Sequence, residues 1–338
     1  MGKMKRVLLL STGGTIASAP GEEGEGLTPQ FSGEEMIKLI PELKDVCYID
    51  CLEVLNIDSS NMQPENWQSL ARAVYDGLQE YDGVVITHGT DTMAYTSSAL
   101  SFMLKNLNKP VILTGSQVPI ESSLTDGKKN IYDAFKVATS GLAGVYLVFN
   151  GKIILGTRAS KLYARKYDAF HSINYPDIGY VEGDRVYINI SPSPDRGEKL
   201  ALDDRLEPNV FVLKLTPGVR AEIFTSLLQM GYRGVVLEAF GLGGIPHLGR
   251  NLLPGIEKLL AQGVPLVVTT QCLYDGVDLD VYDVGVKALR TGVIPSHDMV
   301  REAVVAKLMW ILGHTQDLQE VKEMMHKNYR GEIRVGKG

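Results

Sequence analysis

Short apolar runs recur along the first 140 residues, each followed by a polar or glycine-rich stretch and then by a segment with helical spacing. Val7 to Leu10, residues 46–55, residues 84–87 and Val111 to Thr114 read as strands. Between them, Pro64 to Leu78 reads as a helix with proline in its first turn. Residues 92–107 place Ala99, Leu100, Met103, Leu104 and Leu107 on one helical face, and Lys129 to Ala138 is a third helix. This alternation predicts a largely parallel sheet flanked by helices. From Gly144 the pattern changes. Apolar runs flank Asn150-Gly151, a strong hairpin signal, and a second pair flanks Glu182-Gly183-Asp184. Residues 1–190 are therefore expected to form a larger mixed-sheet α/β domain that ends in an antiparallel part. Residues 191–209 hold few apolar positions and read as a linker. In 210–338 the alternation resumes, with strands at 210–215, 235–237 and 266–270 and helices at 222–230, 253–261 and 299–312. That is the pattern of a smaller, doubly wound parallel sheet.

The 338 residues, 44% hydrophobic and 22% charged, suit a globular protein of two domains. A net charge of -6 weighs against a dedicated nucleic-acid binder. Three cysteines make a disulfide framework improbable. Cys47 and Cys51 share one strand with no Cys/His companions, so they read as structural and not as metal ligands; a reducing compartment is the simpler setting. Lys3, Lys5 and Arg6 before Val7 to Leu10, with Ala17-Ser18-Ala19 beyond, imitate a signal peptide. The apolar run is too short for one, at about 7–15 residues needed. No stretch of about 18 apolar residues occurs. The expectation is a cytoplasmic protein without a membrane partner.

The candidate chemistry lies in loops that follow strands, where open α/β sheets bind ligands. Ser11-Thr12-Gly13-Gly14-Thr15 follows the first strand, and His88-Gly89-Thr90-Asp91-Thr92 follows the third. Thr15 stands on pliant backbone before a stretch rich in glycine and glutamate (residues 21–26) that suits a mobile lid. Gly13-Gly14 lacks the spacing of a dinucleotide fingerprint. Asp91 is either a helix N-cap or a catalytic group, because a helix start favours both a capping carboxylate and a bound anion. His88, ending a buried strand, reads as structural more readily than as a base. Asp58, Ser59 and Ser60 form a third cluster, either capping the Pro64 helix or binding a small zwitterion, with Asp58 for an ammonium and Ser59 for a carboxylate. Thr114-Gly115-Ser116-Gln117 can offer backbone groups to the same crevice. Lys161 gains meaning only beside a partner: an Asp and a Lys flanking a threonine hydroxyl can relay its proton. Phe240 to Gly244 reads as a tight turn, with a phosphate cradle as the alternative.

Taken together, these motifs resemble the bacterial-type L-asparaginase family, in particular its cytoplasmic type I branch. The resemblance rests on Thr12 to Ala17, on Asp82 to Met93, on Thr114 to Gln117 and on Lys161, and extends over nearly the whole chain. It implies a C-terminal domain of flavodoxin-like fold and an amidohydrolase of asparagine catabolism. In that family a threonine, here Thr15, attacks the side-chain amide of L-asparagine to form an acyl-enzyme, which water releases as L-aspartate. Thr90, Asp91 and Lys161 would form a triad. Ser59 and Asp91 would take the substrate's α-carboxylate and α-ammonium, helped by Asp58 or Ser60, with Ser116 also at the substrate. No cofactor and no metal are implied, and a homodimer or homotetramer is.

The sequence departs from the family pattern in places. Where members often carry a lid tyrosine, this chain reads Glu25-Gly26-Leu27-Thr28-Pro29, so the path of the nucleophile's proton is left open. No asparagine stands near Phe240 to Gly243, where a neighbouring subunit would contribute one; Glu238 lies close. Two other functions share some of these features. One is the amidase component of a tRNA-dependent amidotransferase, against which the start of the chain almost at its first strand is set. The other is a non-catalytic amino-acid-binding regulatory protein, for which keeping Thr15, Thr90, Asp91 and Lys161 together is uneconomical.

Overall fold

The computed structural model describes residues 4–20, 27–190 and 198–334. The chain divides into two compact units, one of residues 1–172 and 176–204, the other of residues 173–175 and 205–338. The stretch 21–26, expected as a lid, and residues 191–197 of the expected linker lie outside the described residues.

The first unit is built on an eight-stranded sheet. Its strands are β1 (Arg6–Gly13), β2 (Tyr48–Ile57), β3 (Gly83–Thr87), β4 (Pro110–Thr114), β5 (Gly144–Phe149), β6 (Lys152–Leu155), β7 (Gly179–Glu182) and β8 (Arg185–Ile188). Their spatial order is β8-β7-β6-β5-β4-β3-β1-β2. The five strands from β2 to β5 in that row are mutually parallel, and β5 to β8 form an antiparallel meander. β3 and β4 are buried at every position, as a parallel strand covered on both faces requires. The hairpin between β5 and β6 turns on Asn150 and Gly151, both at positive φ (49° and 78°), the two-residue turn whose twist matches the strands it joins.

Three longer helices flank this sheet, α1 (Pro64–Glu80), α2 (Met93–Met103) and α3 (Gly127–Ala138), and a short one, Gly33–Lys38, packs on β1 and β2. α2 departs from expectation twice. It ends at Met103, not Leu107, because Leu104–Lys105 straightens and pairs with Ala201–Leu202. Lys105 then meets Asp203 at 2.5 Å. Nor is it amphipathic: ten of its eleven residues are buried. One side carries Ser97, Ser98 and Ser101, and there the backbone of Gly156 comes so close that a Cβ would stand 2.9 Å from Ser101 Oγ. The hydroxyls of Ser97 and Ser98 both donate to Gly156 O, at 2.8 and 3.2 Å.

The second unit has four parallel strands in sequential order, β9 (Val210–Lys214), β10 (Gly234–Ala239), β11 (Leu266–Thr270) and β12 (Ile294–Pro295). Its helices are α4 (Glu222–Gln229), α5 (Leu253–Ala261), α6 (Asp283–Thr291), α7 (Arg301–Leu312) and α8 (Leu318–His326). Val235, Leu237, Leu266 and Val268 form one core with Phe224, Leu227, Ile256 and Leu259 of α4 and α5. On the opposite parity, Gly234 meets Leu308 and Leu312 of α7. The sheet is thus covered on both faces. α6 and α8 are not among the expected helices; α6 is closed by Gly292 at φ 99°, and α8 is opened by the Asp317 side chain. The Phe240 to Gly244 loop is a tight turn: Gly243, at φ 111°, lies where a Cβ would stand 2.2 Å from Leu279.

α7 buries a full ion pair. Lys307 and Glu332 are both inaccessible to solvent and stand 2.8 Å apart. Lys307 Nζ also donates to the carbonyls of Met325 and Lys327, and Glu332 accepts from the amides of Tyr329 and Arg330. Burial lowers the Lys307 pKa against the pull of its partner. Removing one partner strands the other charge, so Glu332→Ala is expected to destabilise the second unit by about 3–5 kcal/mol. The double replacement Lys307→Met with Glu332→Leu is expected to lose less. Urea unfolding of the three proteins checks this, and a double variant as unstable as Glu332→Ala would contradict it.

Candidate active site

Four loops meet at the carboxyl ends of the neighbouring strands β2, β1, β3 and β4, and glycines set how closely they meet. Gly14, at φ 83°, lies so near Gly89 that a Cβ on it would be 2.4 Å from the Gly89 Cα and nitrogen. A Cβ on Gly89 would in turn be 2.5 Å from Ser59 Oγ, and one on Gly115 would be 2.3 Å from His88 O. Only glycine tolerates these approaches. Thr15 and Thr90 each follow one member of the Gly14/Gly89 contact, so the backbone brings the two threonines to one place.

The polar groups of the loops divide into those already engaged and those left open. Thr12 is buried and donates to Thr87 O at 3.0 Å, fastening the ends of β1 and β3. Ser116 is fully buried, and its hydroxyl donates to Val118 O at 2.6 Å; that hydroxyl has no proton left to give and can only accept. Thr15 opens a single 3-10 turn, Thr15–Ala17, and is half-buried. Among the described residues its hydroxyl has no hydrogen-bond partner.

Thr90 is at the centre of a compact network. Lys161 Nζ donates to Thr90 Oγ1 at 2.7 Å and to Asp91 Oδ1 at 2.6 Å. Thr90 Oγ1 donates to Gln117 Oε1 at 3.1 Å. Lys161 is mostly buried, whereas the Asp91 side chain is 63% exposed, which leaves its second oxygen open. The structure decides against the capping reading of Asp91: α2 begins after Thr92, and the Asp91 carboxylate faces Lys161. The Asp91 amide donates to Ser59 Oγ at 3.3 Å and Thr92 Oγ1 to Ser59 O at 2.8 Å, fixing the third cluster against the second. Asp58 caps the turn Ser59–Asn61, accepting from the amide and the hydroxyl of Ser60 at 2.8 and 2.5 Å. It does not cap α1, whose start is closed by Gln63 and Asn66.

Three supporting groups are not evident from the sequence. Gln117 is expected to offer only backbone, yet its side chain touches Thr90. Asp126 accepts from the amides of Gln117 and Val118 at 3.0–3.1 Å, and burial raises its pKa. Asn130 joins Gly115 O, Asp126 and the Asn150 amide. The one local sign is Asp126-Gly127 at the start of α3, nine residues after Gln117. Elsewhere, Glu238 is buried and paired with Arg301 at 2.8 Å within the second unit. The cysteines are free, and burial pushes the Cys47 and Cys51 thiols up to about 12 and about 11. Among the described residues, no group of three or more His, Cys, Asp or Glu could hold a metal ion. No helix there is long and apolar enough to cross a membrane.

Comparison with known proteins adds an independent line. The family model "Asparaginase, N-terminal" matches residues 6–194, and "Glutaminase/Asparaginase C-terminal domain" matches residues 209–325. The L-asparaginase of Thermococcus kodakarensis is 48% identical over 329 residues, which cover 97% of this chain and 99% of that protein. Its solved structure superposes with a TM-score of 0.93, covering 98% and 100% of the two chains at 47% identity. L-asparaginase I of Vibrio cholerae gives a TM-score of 0.86 at 31% identity over 98% and 100%. A glutamyl-tRNA(Gln) amidotransferase subunit of Pyrococcus abyssi is 39% identical, covering 98% of this chain and 77% of that protein.

His88 supports the Thr90 loop from beneath. It is fully buried, with Nδ1 2.6 Å from Gly89 O and Nε2 2.9 Å from Thr96 Oγ1. A carbonyl only accepts, so Nδ1–H donates to Gly89 O; Nε2 of the neutral ring then accepts from the Thr96 hydroxyl, which itself accepts from Trp67 Nε1 at 3.1 Å. Burial pushes the His88 pKa down from 6.5 to about 4. The unfolded chain therefore takes up this proton first. The stabilisation is complete above pH 6.5 and is lost as pH falls towards 4. Between pH 7 and 4.5 this residue alone is expected to remove about 2 kcal/mol from the unfolding free energy. His88→Gln should lose that part of the pH slope, whatever its stability at pH 7. Urea unfolding at the two pH values measures it, and equal slopes would point to another group.

Proposed function

This chain belongs to the asparaginase family of amidohydrolases, and from that premise we propose that it hydrolyses L-asparagine to L-aspartate and ammonia with Thr15 as nucleophile. The observation that carries the reading is the bridge from Lys161 Nζ to both Thr90 Oγ1 and Asp91 Oδ1. It joins a hydroxyl, an amine and a carboxylate beside an unengaged threonine, which is the equipment of a proton relay.

In the first half-reaction the Thr15 oxygen bonds to the amide carbon and gives up its proton. The carbon–nitrogen bond breaks, and nitrogen leaves with that proton as ammonia. In the second, water adds to the resulting ester carbon, the bond to Thr15 breaks, and a proton returns to the Thr15 oxygen. Thr90, backed by Lys161 and Asp91, is the group through which the water's proton passes. The open oxygen of Asp91 suits the substrate's α-ammonium, since a carboxylate is an acceptor on both oxygens. The Ser59 hydroxyl, which accepts from the Asp91 amide, keeps its own proton to donate to the α-carboxylate. Asp58 and Ser60 stand beside it, and Ser116 contributes backbone. Neither step calls for a metal or organic cofactor. The setting proposed is the cytoplasm, and the assembly a homodimer or homotetramer.

The match to an amidotransferase component supports a second reading, in which the same chemistry releases ammonia for transfer to a charged tRNA. Ammonia release from free asparagine and glutamine by the purified chain separates the two. Brisk turnover of asparagine alone supports the first; turnover that requires a partner protein supports the second. Within the same assay, Thr15→Ala and Thr90→Val are each expected to fall at least about a hundredfold, the scale of a lost nucleophile or relay group. Full activity in Thr15→Ala would end its assignment as nucleophile.

A further inference from the structure

Gln117 is tied on two sides before it reaches Thr90. Its amide donates to Asp126 at 3.0 and 3.1 Å. Its side-chain Nε2 donates to the carbonyls of Tyr163 and Lys166, at 3.2 and 3.1 Å. Carbonyls only accept, so that end of the side chain must be the NH2 group, and Oε1 must be the end facing Thr90. An amide oxygen also only accepts. The Thr90 hydroxyl is therefore obliged to donate to it.

The consequence follows from counting. A hydroxyl has one proton and two lone pairs. In Thr90 the proton goes to Gln117, and one lone pair receives Lys161 Nζ. One lone pair remains. Whatever approaches Thr90 next, the Thr15 hydroxyl or a water, has to donate a proton to it. Thr90 is itself buried, so bulk water offers no competing arrangement.

We infer that Gln117 is a positioning residue that sets the polarity of the resting Thr90 hydroxyl, turning its proton aside and leaving a lone pair for the incoming group. As that lone pair takes up a proton, Thr90 releases its own to the leaving nitrogen in the first half-reaction and to the Thr15 oxygen in the second. The inference rests on the reading of Thr90 as part of the relay. Without Gln117 the hydroxyl proton is free to swing towards the incoming group, and Thr90 then offers a donor where an acceptor is needed. Orientation of this kind acts on the chemical step more than on substrate binding.

A tether role is the alternative, because Gln117 also holds the Tyr163 to Lys166 turn just beyond Lys161. Two variants separate the roles. Gln117→Met removes both the acceptor and the tether. Gln117→Glu keeps an acceptor for Thr90 but faces the two carbonyls with a second oxygen, so it loses the tether, and it brings a negative charge towards Lys161. Polarity setting predicts that Gln117→Met lowers kcat for ammonia release about tenfold, the worth of one hydrogen bond, with KM within about twofold. Gln117→Glu should keep kcat within about threefold. Both should unfold within a few degrees of the parent, since Gln117 is only partly buried. Equal losses in the two variants, an unimpaired Gln117→Met, or a loss confined to KM would overturn the inference. Thr90→Val serves as the control: if it is fully active, the relay reading itself fails. If it is inactive while Gln117→Met is not, only the role of Gln117 falls.

Discussion

The contact between Gly14 and Gly89 is the constraint on which the candidate site depends. Two loops that follow neighbouring parallel strands ordinarily diverge, because side chains at their tips keep the backbones apart. Here neither tip carries a side chain, and the approach is closer than any Cβ would allow. Ser59 closes the same contact from the β2 side, and Gly115 packs on the His88 carbonyl from the β4 side. Four consecutive positions in the sheet order thus deliver their loops into one small volume. The glycines give up conformational entropy on folding; in return, Thr15, Ser59, Thr90 and the Ser116 turn converge through the close contacts that these glycines permit.

Convergence alone would crowd the site with competing hydroxyls, and the hydrogen-bond pattern sorts them. Thr12 and Ser116 are engaged by carbonyls. Thr96 is held between Trp67 and His88. What remains is Thr15, with no partner among the described residues, and Thr90, whose partners leave it one lone pair. The same sorting disposes of His88. Its position at the end of a buried strand reads as structural more readily than as a base, and in the structure both ring nitrogens are occupied and burial lowers its proton affinity. It fixes the direction of the Gly89 carbonyl, and through it the loop that presents Thr90 and Asp91.

Much of this is legible in the chain, and what is not has physical reasons. Strand–helix alternation and Asn150-Gly151 announce a parallel half followed by a meander, since each is a local signal. The end of α2 is hidden because apolar spacing continues through Leu104 and Leu107 while the backbone pairs with a segment almost a hundred residues away. α2 looks amphipathic because serines read as a polar face; they are buried against Gly156, and only tertiary contact shows it. Asp91 fits a cap and a relay equally well, because a carboxylate at a helix start satisfies both until its partner is in view. Gln117 carries no signal of its own, since glutamine is ordinary in loops and its role lies in which way its amide is turned.

The buried serines of α2 also account for the presence of Lys161. Lys161 lies about seventy residues beyond Thr90, on the short strand Ala159–Lys161 that pairs with Phe170–Ser172. That strand reaches the site only if the turn before it can press against α2. Gly156 has no side chain to prevent this, and Ser97 and Ser98 satisfy its carbonyl, which would otherwise be buried without a partner. A leucine at either serine would fit the helical pattern better and would push the turn away. α2 therefore does two jobs along its length: its first residues follow the loop bearing Thr90 and Asp91, and its middle turn docks the segment that brings the lysine to them. The ammonium then bridges both side chains, and its placement is a property of the helix as much as of the strand that carries it.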